Sequence, residues 1–262
     1  MIDTKLTSAL LLLALLFSNT IQAQHTFSIV AVDPKTGEIG SAGATCIGAE
    51  DGALVISDII LGVGAIHTQS FWSPSNQNNA RGRMLAGDSP QQIIDWLQQN
   101  DINGDASQRQ YGVVDLNAGN PRSAAFTGAN CFREFKHITG PNYAIAGNIL
   151  ISEDVVDDME TGFLNTKGSL SDKLMGALQA AKRPGADERC LSFNISSASA
   201  FVRMATPCDT DSTYGNLSLD LNVWTQGSNV FEPIDALQTA YDNWQLSVPT
   251  CNTDIIFASG FE

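Results

Sequence analysis

Short β-branched and apolar runs separated by turn residues occupy the first half of the chain, and apolar spacings of three and four residues appear in its middle and at its end. Residues 26–32 are rich in β-branched and apolar side chains, Pro34-Lys35-Thr36-Gly37 is a turn signal, and residues 39–47 resume the apolar run. This pattern predicts an opening hairpin. Further strands are expected over 53–57, 62–69, 111–116, 123–127 and 143–150. Ser89-Pro90-Gln91-Gln92 places an N-cap, a proline at the first helical position and a glutamine three residues after the cap, ahead of Ile93, Ile94, Trp96 and Leu97. That signature predicts a helix over 90–99.

Two more helices follow. Ser152 caps one with Val155, Val156, Met159 and Phe163 on a single side, and Ser169 with Asp172 forms a capping box for the next, which Pro184-Gly185 ends. Residues 191–195 and 200–205 read as two strands joined by Ser196-Ser197-Ala198-Ser199. An alternating run at Leu217, Leu219, Leu221 and Val223 precedes a last helix with Ile234, Leu237, Tyr241 and Trp244 on one face. Strands, then a helical pair, then strands and a closing helix predict an α+β fold: a four-layer αββα sandwich of two mostly antiparallel sheets between helices.

The N-terminus follows a different rule. Lys5, an apolar run from Ala9 to Phe17 and Ile21-Gln22-Ala23 have the order of a secretory signal peptide, 1–23, and the apolar run is too short to span a bilayer. Residues 24–246 are then expected to form one exported domain, periplasmic or secreted, followed by a tail at 247–262. Asp3 and Lys5 cancel, so the exported part keeps the whole formal charge of −14, which disfavours nucleic acid and anionic membranes as partners.

All five cysteines lie in the exported part, where disulfides persist. Pairing of the two strands at 191–195 and 200–205 would bring Cys190 and Cys208 together, and a bridge between them is expected. Cys46 and Cys131 either pair or stay as buried thiols. No cysteine or histidine spacing suits a metal, and no cofactor is indicated. Asp101, Asn103, Asp105 and Ser107 imitate half of a calcium loop, but Ala106 and Gly112 stand where glycine and glutamate are required.

Several motifs converge on a resemblance. Thr26-Phe27-Ser28-Ile29-Val30-Ala31 with Asp33, Thr36-Gly37-Glu38-Ile39-Gly40, Gly62-Val63-Gly64-Ala65 with Thr68-Gln69, Arg81-Gly82, Gly112-Val113-Val114-Asp115, Ala124-Ala125-Phe126-Thr127-Gly128 with Cys131, and Gly140-Pro141-Asn142-Tyr143-Ala144 with Gly147-Asn148-Ile149-Leu150 resemble a bacterial family catalogued as domain of unknown function 1028. That family is placed among the N-terminal-nucleophile (Ntn) hydrolases.

The resemblance implies a hydrolase whose Thr26 becomes the mature N-terminus and attacks an amide carbonyl while its own α-amine takes the proton. Asn148 is the candidate oxyanion donor. Gln69 and Thr45 are candidates for the pocket wall. A small-molecule or peptide-like ligand is implied, and self-association stays open.

Each residue also has a plainer reading: Thr26 as the first residue of a strand, Asn148 as a loop hydrogen-bonder, His67 as a strand filler. Expected signal cleavage leaves Gln24-His25 ahead of Thr26. An exported ligand-binding protein that keeps the fold without catalysis is therefore the second reading. Ser73-Pro74-Ser75-Asn76-Gln77-Asn78-Asn79 and Arg189-Cys190-Leu191-Ser192 depart from the family pattern, which implies a shifted specificity if they line the pocket.

Overall fold

The computed structural model describes residues 23–24 and 26–247, so nearly all of the expected signal peptide and of the expected tail lies outside the described residues. Two antiparallel sheets form the middle of the molecule. The first holds β1 (Ala23–Gln24), β4 (Ser57–Ile60), β5 (Gly64–Phe71), β6 (Arg109–Asp115) and β7 (Arg122–Thr127), with β4 and β1 sharing the outer edge of β5. The second runs β11 (Leu219–Trp224), β10 (Ser199–Ala205), β3 (Glu38–Thr45), β2 (Thr26–Asp33), β9 (Tyr143–Leu150) and β8 (Glu134–Gly140).

Helices cover both outer faces. α1 (Pro74–Leu85) and α2 (Pro90–Gln99) bury Ala80, Met84, Ile93, Ile94 and Leu97 against Ile66, Tyr111 and Val113 of the first sheet. α3 (Asp154–Asn165), α4 (Leu170–Ala181) and α5 (Pro233–Gln245) bury Val156, Met159, Leu174, Leu178 and Leu237 against Phe27, Ile29 and Val202 of the second. This is the expected αββα order. α3 and α4 approach closely: a Cβ built on Gly162 would lie 2.4 Å from the Gly176 carbonyl oxygen, so only glycine fits there.

Alternation along the inner strands decides what lies between the sheets. On β2, Phe27, Ile29 and Ala31 join the helix-side core, while Val30 and Val32 face the other sheet beside Ile59, Ala65 and Val114. Thr26 and Ser28 share that inward face by the period of two. The space between the sheets is thus apolar toward one end and polar toward the other.

The two capping boxes form as expected, at Ser89/Gln92 and Ser169/Asp172. Three local expectations are corrected, and one helix was not anticipated. Residues 53–57 are not a strand: Leu54–Ile56 form a 3-10 turn and pairing starts at Ser57. The polar stretch after Ser73 is the helix α1, started by a Ser73 side chain that accepts the Asn76 N–H and by proline in its first turn. Residues 191–193 belong to a 3-10 segment, Glu188–Phe193, that ends at a left-handed Asn194, and β10 pairs with β3 and β11 instead of forming that hairpin. The expected Cys190–Cys208 bridge falls with it, because Cys190 is bonded to Cys46. Cys131 is a buried thiol.

Candidate functional site

Thr26 opens β2 directly opposite Thr45 on β3, and both are fully buried. Its hydroxyl has no hydrogen-bond partner among the described residues. Its carbonyl accepts a bond from Gln69 Nε2 at 3.2 Å, reaching across from the other sheet. Thr45 Oγ1 accepts from Arg189 Nη2 at 3.1 Å. Asn148, also fully buried, gives one N–H to Gln110 Oε1 at 2.9 Å, the same oxygen that Gln69 Nε2 reaches at 2.7 Å. The four expected site residues therefore gather at one end of the inter-sheet space, with Gln110 as a hub.

Local backbone geometry serves this placement. Ser70 has φ +74° and Ile149 φ +51°, each directly after a glutamine or asparagine of the cluster. For β-branched Ile149 that conformation is a marked outlier, held by a bond from its N–H to the Phe132 carbonyl. Register between β8 and β9 slips between Glu134 and Lys136, as at a β-bulge, and the slip lies opposite Gly147–Leu150.

A chain of buried side chains leads away from Gln69. Ser28 Oγ donates to Gln69 Oε1 at 2.6 Å, and His67 Nδ1 lies 2.9 Å from Ser28 Oγ. His67 Nε2 is 2.6 Å from Ser41 Oγ, Ser41 Oγ is 2.8 Å from Ser57 Oγ, and Arg203 Nη1 donates to Ser57 at 3.3 Å. Burial, reinforced by the Arg203 charge, lowers the His67 pKa from 6.5 to about 3. The ring is therefore neutral at ordinary pH, with one donor and one acceptor nitrogen. Since the Ser28 proton goes to Gln69, Nδ1 must carry the ring hydrogen; Nε2 then accepts from Ser41, and Ser41 from Ser57. Every donor in the run from Arg203 to Gln110 points the same way.

Ser28 and His67 resemble a nucleophile and its base, but the arrangement cannot act so. Both are buried, the serine proton is already committed to Gln69, and an imidazole held near pKa 3 is a weak base. The ring has a stability consequence instead. Between about pH 3 and 6.5 the unfolded chain binds a proton on this residue that the folded chain refuses, so stability falls as pH falls. Unfolding in urea at pH 5 is expected to take up about one more proton in the wild type than in His67→Gln, which corresponds to roughly 2–3 kcal/mol lost between pH 6 and pH 4. Equal proton uptake in the two proteins would refute this.

Thr26, Thr45, Gln69 and Asn148 were accessible through the family resemblance and Arg189 only as part of a segment that departs from it, whereas Gln110, Asp187 and the place of His67 in the chain of buried bonds were not. The signal that was present is polar residues at alternate positions of otherwise apolar strands: Thr26 and Ser28, Ser41 and Thr45, His67 and Gln69. Among the described residues no group of three or more histidine, cysteine, aspartate or glutamate side chains is arranged to hold a metal ion. No helix among them is long and apolar enough to cross a membrane.

A family model described as a family of unknown function, DUF1028, matches residues 26–228. The crystal structure of protein SPO2555 from Silicibacter pomeroyi, of the same family, is similar over 88% of this chain and 92% of that one, with a TM-score of 0.64 at 23% identity. At that identity the likeness speaks for the fold. No curated protein matches the chain.

Proposed function

We infer that this chain, which belongs to the DUF1028 family of unknown function, is an exported Ntn-type amidohydrolase that cuts an unidentified amide bond with Thr26 as nucleophile. The observation that carries this reading is the Thr26 hydroxyl, fully buried at the start of an inner strand and without a partner among the described residues. A buried polar atom left unpaired is costly and calls for a reason, and a reserved nucleophile is one.

The chemistry follows from the liberated threonine. A free α-amine has a reference pKa of about 7.7–8.0, so a useful fraction is unprotonated near neutral pH and takes the hydroxyl proton as oxygen attacks the carbonyl. The same amine returns the proton to the leaving nitrogen, and water then cleaves the ester on Oγ1. Asn148 and backbone N–H groups would steady the oxyanion. Gln69, held by Ser28 and Gln110, orients the Thr26 carbonyl. Export is supported by the signal-like N-terminus and by the Cys46–Cys190 disulfide.

One observation favours the second reading, a non-catalytic exported ligand-binding or envelope protein. Gln24 precedes Thr26 and is paired with Ser70 in β1, so the threonine amine lies inside the chain until it is released. Intact mass and N-terminal sequencing of the exported protein decide between the two. A chain starting at Thr26, with a Thr26→Ala form that retains Gln24-His25, supports the hydrolase. A wild-type chain starting at Gln24, cyclised or not, refutes it.

A further inference from the structure

We propose that a cavity of about 330 Å³, at the end of the sandwich remote from Thr26, is a binding site for a small carboxylate with an apolar body. Thr26 opens the eight-residue strand β2 and Asp33, in the cavity wall, closes it, so the two lie roughly 23 Å apart at the rise of a strand. The inference goes beyond the hydrolase reading and does not rest on it.

Chain turns build the wall. Pro34, Pro121 and Pro141 stand in the connections of three antiparallel pairs, β2 with β3, β6 with β7 and β8 with β9. Phe163, near the end of α3, and Leu170, the first residue of α4, add apolar surface from the helix-side core. Proline has a fixed φ and no side-chain rotamers to lose, so this wall is preformed and ordering it costs a ligand little. A lining that is largely apolar with a few polar groups is what a small-molecule site requires.

The polar groups of the lining call for an acid. Among the described residues, Lys35, Lys167 and Lys173 are the bases that make no ion pair, although the chain carries 28 acids against 14 bases. Two of those three, Lys35 and Lys173, border this one cavity. Their surroundings give them no structural task. Lys173 stands in the first turn of α4, where a cation gains nothing from the helix dipole. The acids beside them are engaged by other groups: Asp33 Oδ1 accepts the Lys35 backbone N–H at 2.9 Å, and Asp172 completes the α4 capping box and accepts from the Tyr241 hydroxyl. A carboxylate on a hydrocarbon body satisfies both halves of the site, charge-assisted bonds to the free ammonium groups and burial against the proline, Phe163 and Leu170 surface.

The test uses the exported protein and three probes, hydrocinnamate, its uncharged amide and acetate, with binding measured by calorimetry. Hydrocinnamate is expected to bind at least about tenfold more tightly than either of the others, and its lead over the amide to shrink as salt rises. Lys35→Gln/Lys173→Gln is expected to abolish that lead, and each single variant to keep part of it. Neither lysine makes an ion pair, so the double variant is expected to melt as the wild type does. Lys167→Gln, which removes an equally unpaired lysine outside the cavity, is expected to keep the full preference. No binding of hydrocinnamate, equal affinity for it and its amide or for it and acetate, a preference that survives in the double variant, or one that Lys167→Gln also removes, overturns the proposal. Processing at Thr26 is read separately by mass, so a chain that starts at Gln24 loses the hydrolase and keeps this site.

Discussion

Replacing Cys46 and Cys190 together by alanine is expected to destabilise the protein by about 5 kcal/mol, the chain-entropy value for a loop of this length. The bridge spans 144 residues of sequence, so breaking it releases most of the domain in the unfolded state. At roughly 2–4 °C per kcal/mol for a domain of this size, melting should fall by on the order of 10 °C or more. Wild-type protein melted under full reduction should fall at least as far as the variant, because Cys208 is disulfide-bonded as well. A shift below about 2 °C would mean that the bridge adds little beyond the packing around it. The same variant should also loosen Arg189 from Thr45, because the bridge joins their immediate neighbours.

Removing the charge of Arg203 is the second large effect. The side chain is 1% exposed and bonds Asp220 at 3.1 and 3.2 Å, the Ser212 carbonyl at 2.9 Å and Ser57, while its guanidinium lies 4.5 Å from the centre of the Tyr214 ring. Asp220 is almost as deeply buried. Arg203→Met would leave that carboxylate without its cation, at a cost of about 3–5 kcal/mol. Arg203→Met/Asp220→Leu should recover most of the loss, since a buried ion pair gives little net stability over an apolar pair of similar volume. Urea unfolding with an unchanged slope measures both, and a double variant no better than the single one would contradict the account. Losing the Arg203 charge also removes one of the two causes that lower the His67 pKa, so the acid transition should shift as well.

Particular residues show where the sequence was legible. Ser89, Pro90 and Gln92 specified their helix through local capping bonds, and Ser169 with Asp172 did the same. The helix at Pro74–Leu85 escaped because its buried positions are Asn76, Ala80 and Met84, spaced correctly but too polar to form an apolar stripe. β8 is a half-exposed edge strand whose polar residues hide its period. The run at 191–195 looked like a strand because short apolar segments lack a decisive period.

Site positions on single strands could be named through the family resemblance, as Thr26, Thr45, Gln69 and Asn148 were. Relations between the sheets could not. That Gln110 receives both Gln69 and Asn148, or that Cys46 finds Cys190 across 144 residues, depends on how two separately patterned sheets are stacked.

The uniform donor direction from Arg203 through His67 to Gln110 has a consequence for how this core can evolve. Ser57, Ser41, His67 and Ser28 each hand on one hydrogen and receive one, and Gln69 receives one from Ser28 and passes bonds to Gln110 and to the Thr26 carbonyl, so replacing any one of them strands a donor on one side and an acceptor on the other. Substitutions at Ser57, Ser41, His67, Ser28 and Gln69 should therefore be mutually contingent, tolerated in matched sets and rejected singly. Lineages that altered one of these positions are expected to have altered its neighbours along the chain of bonds, even where those neighbours lie far apart in the gene.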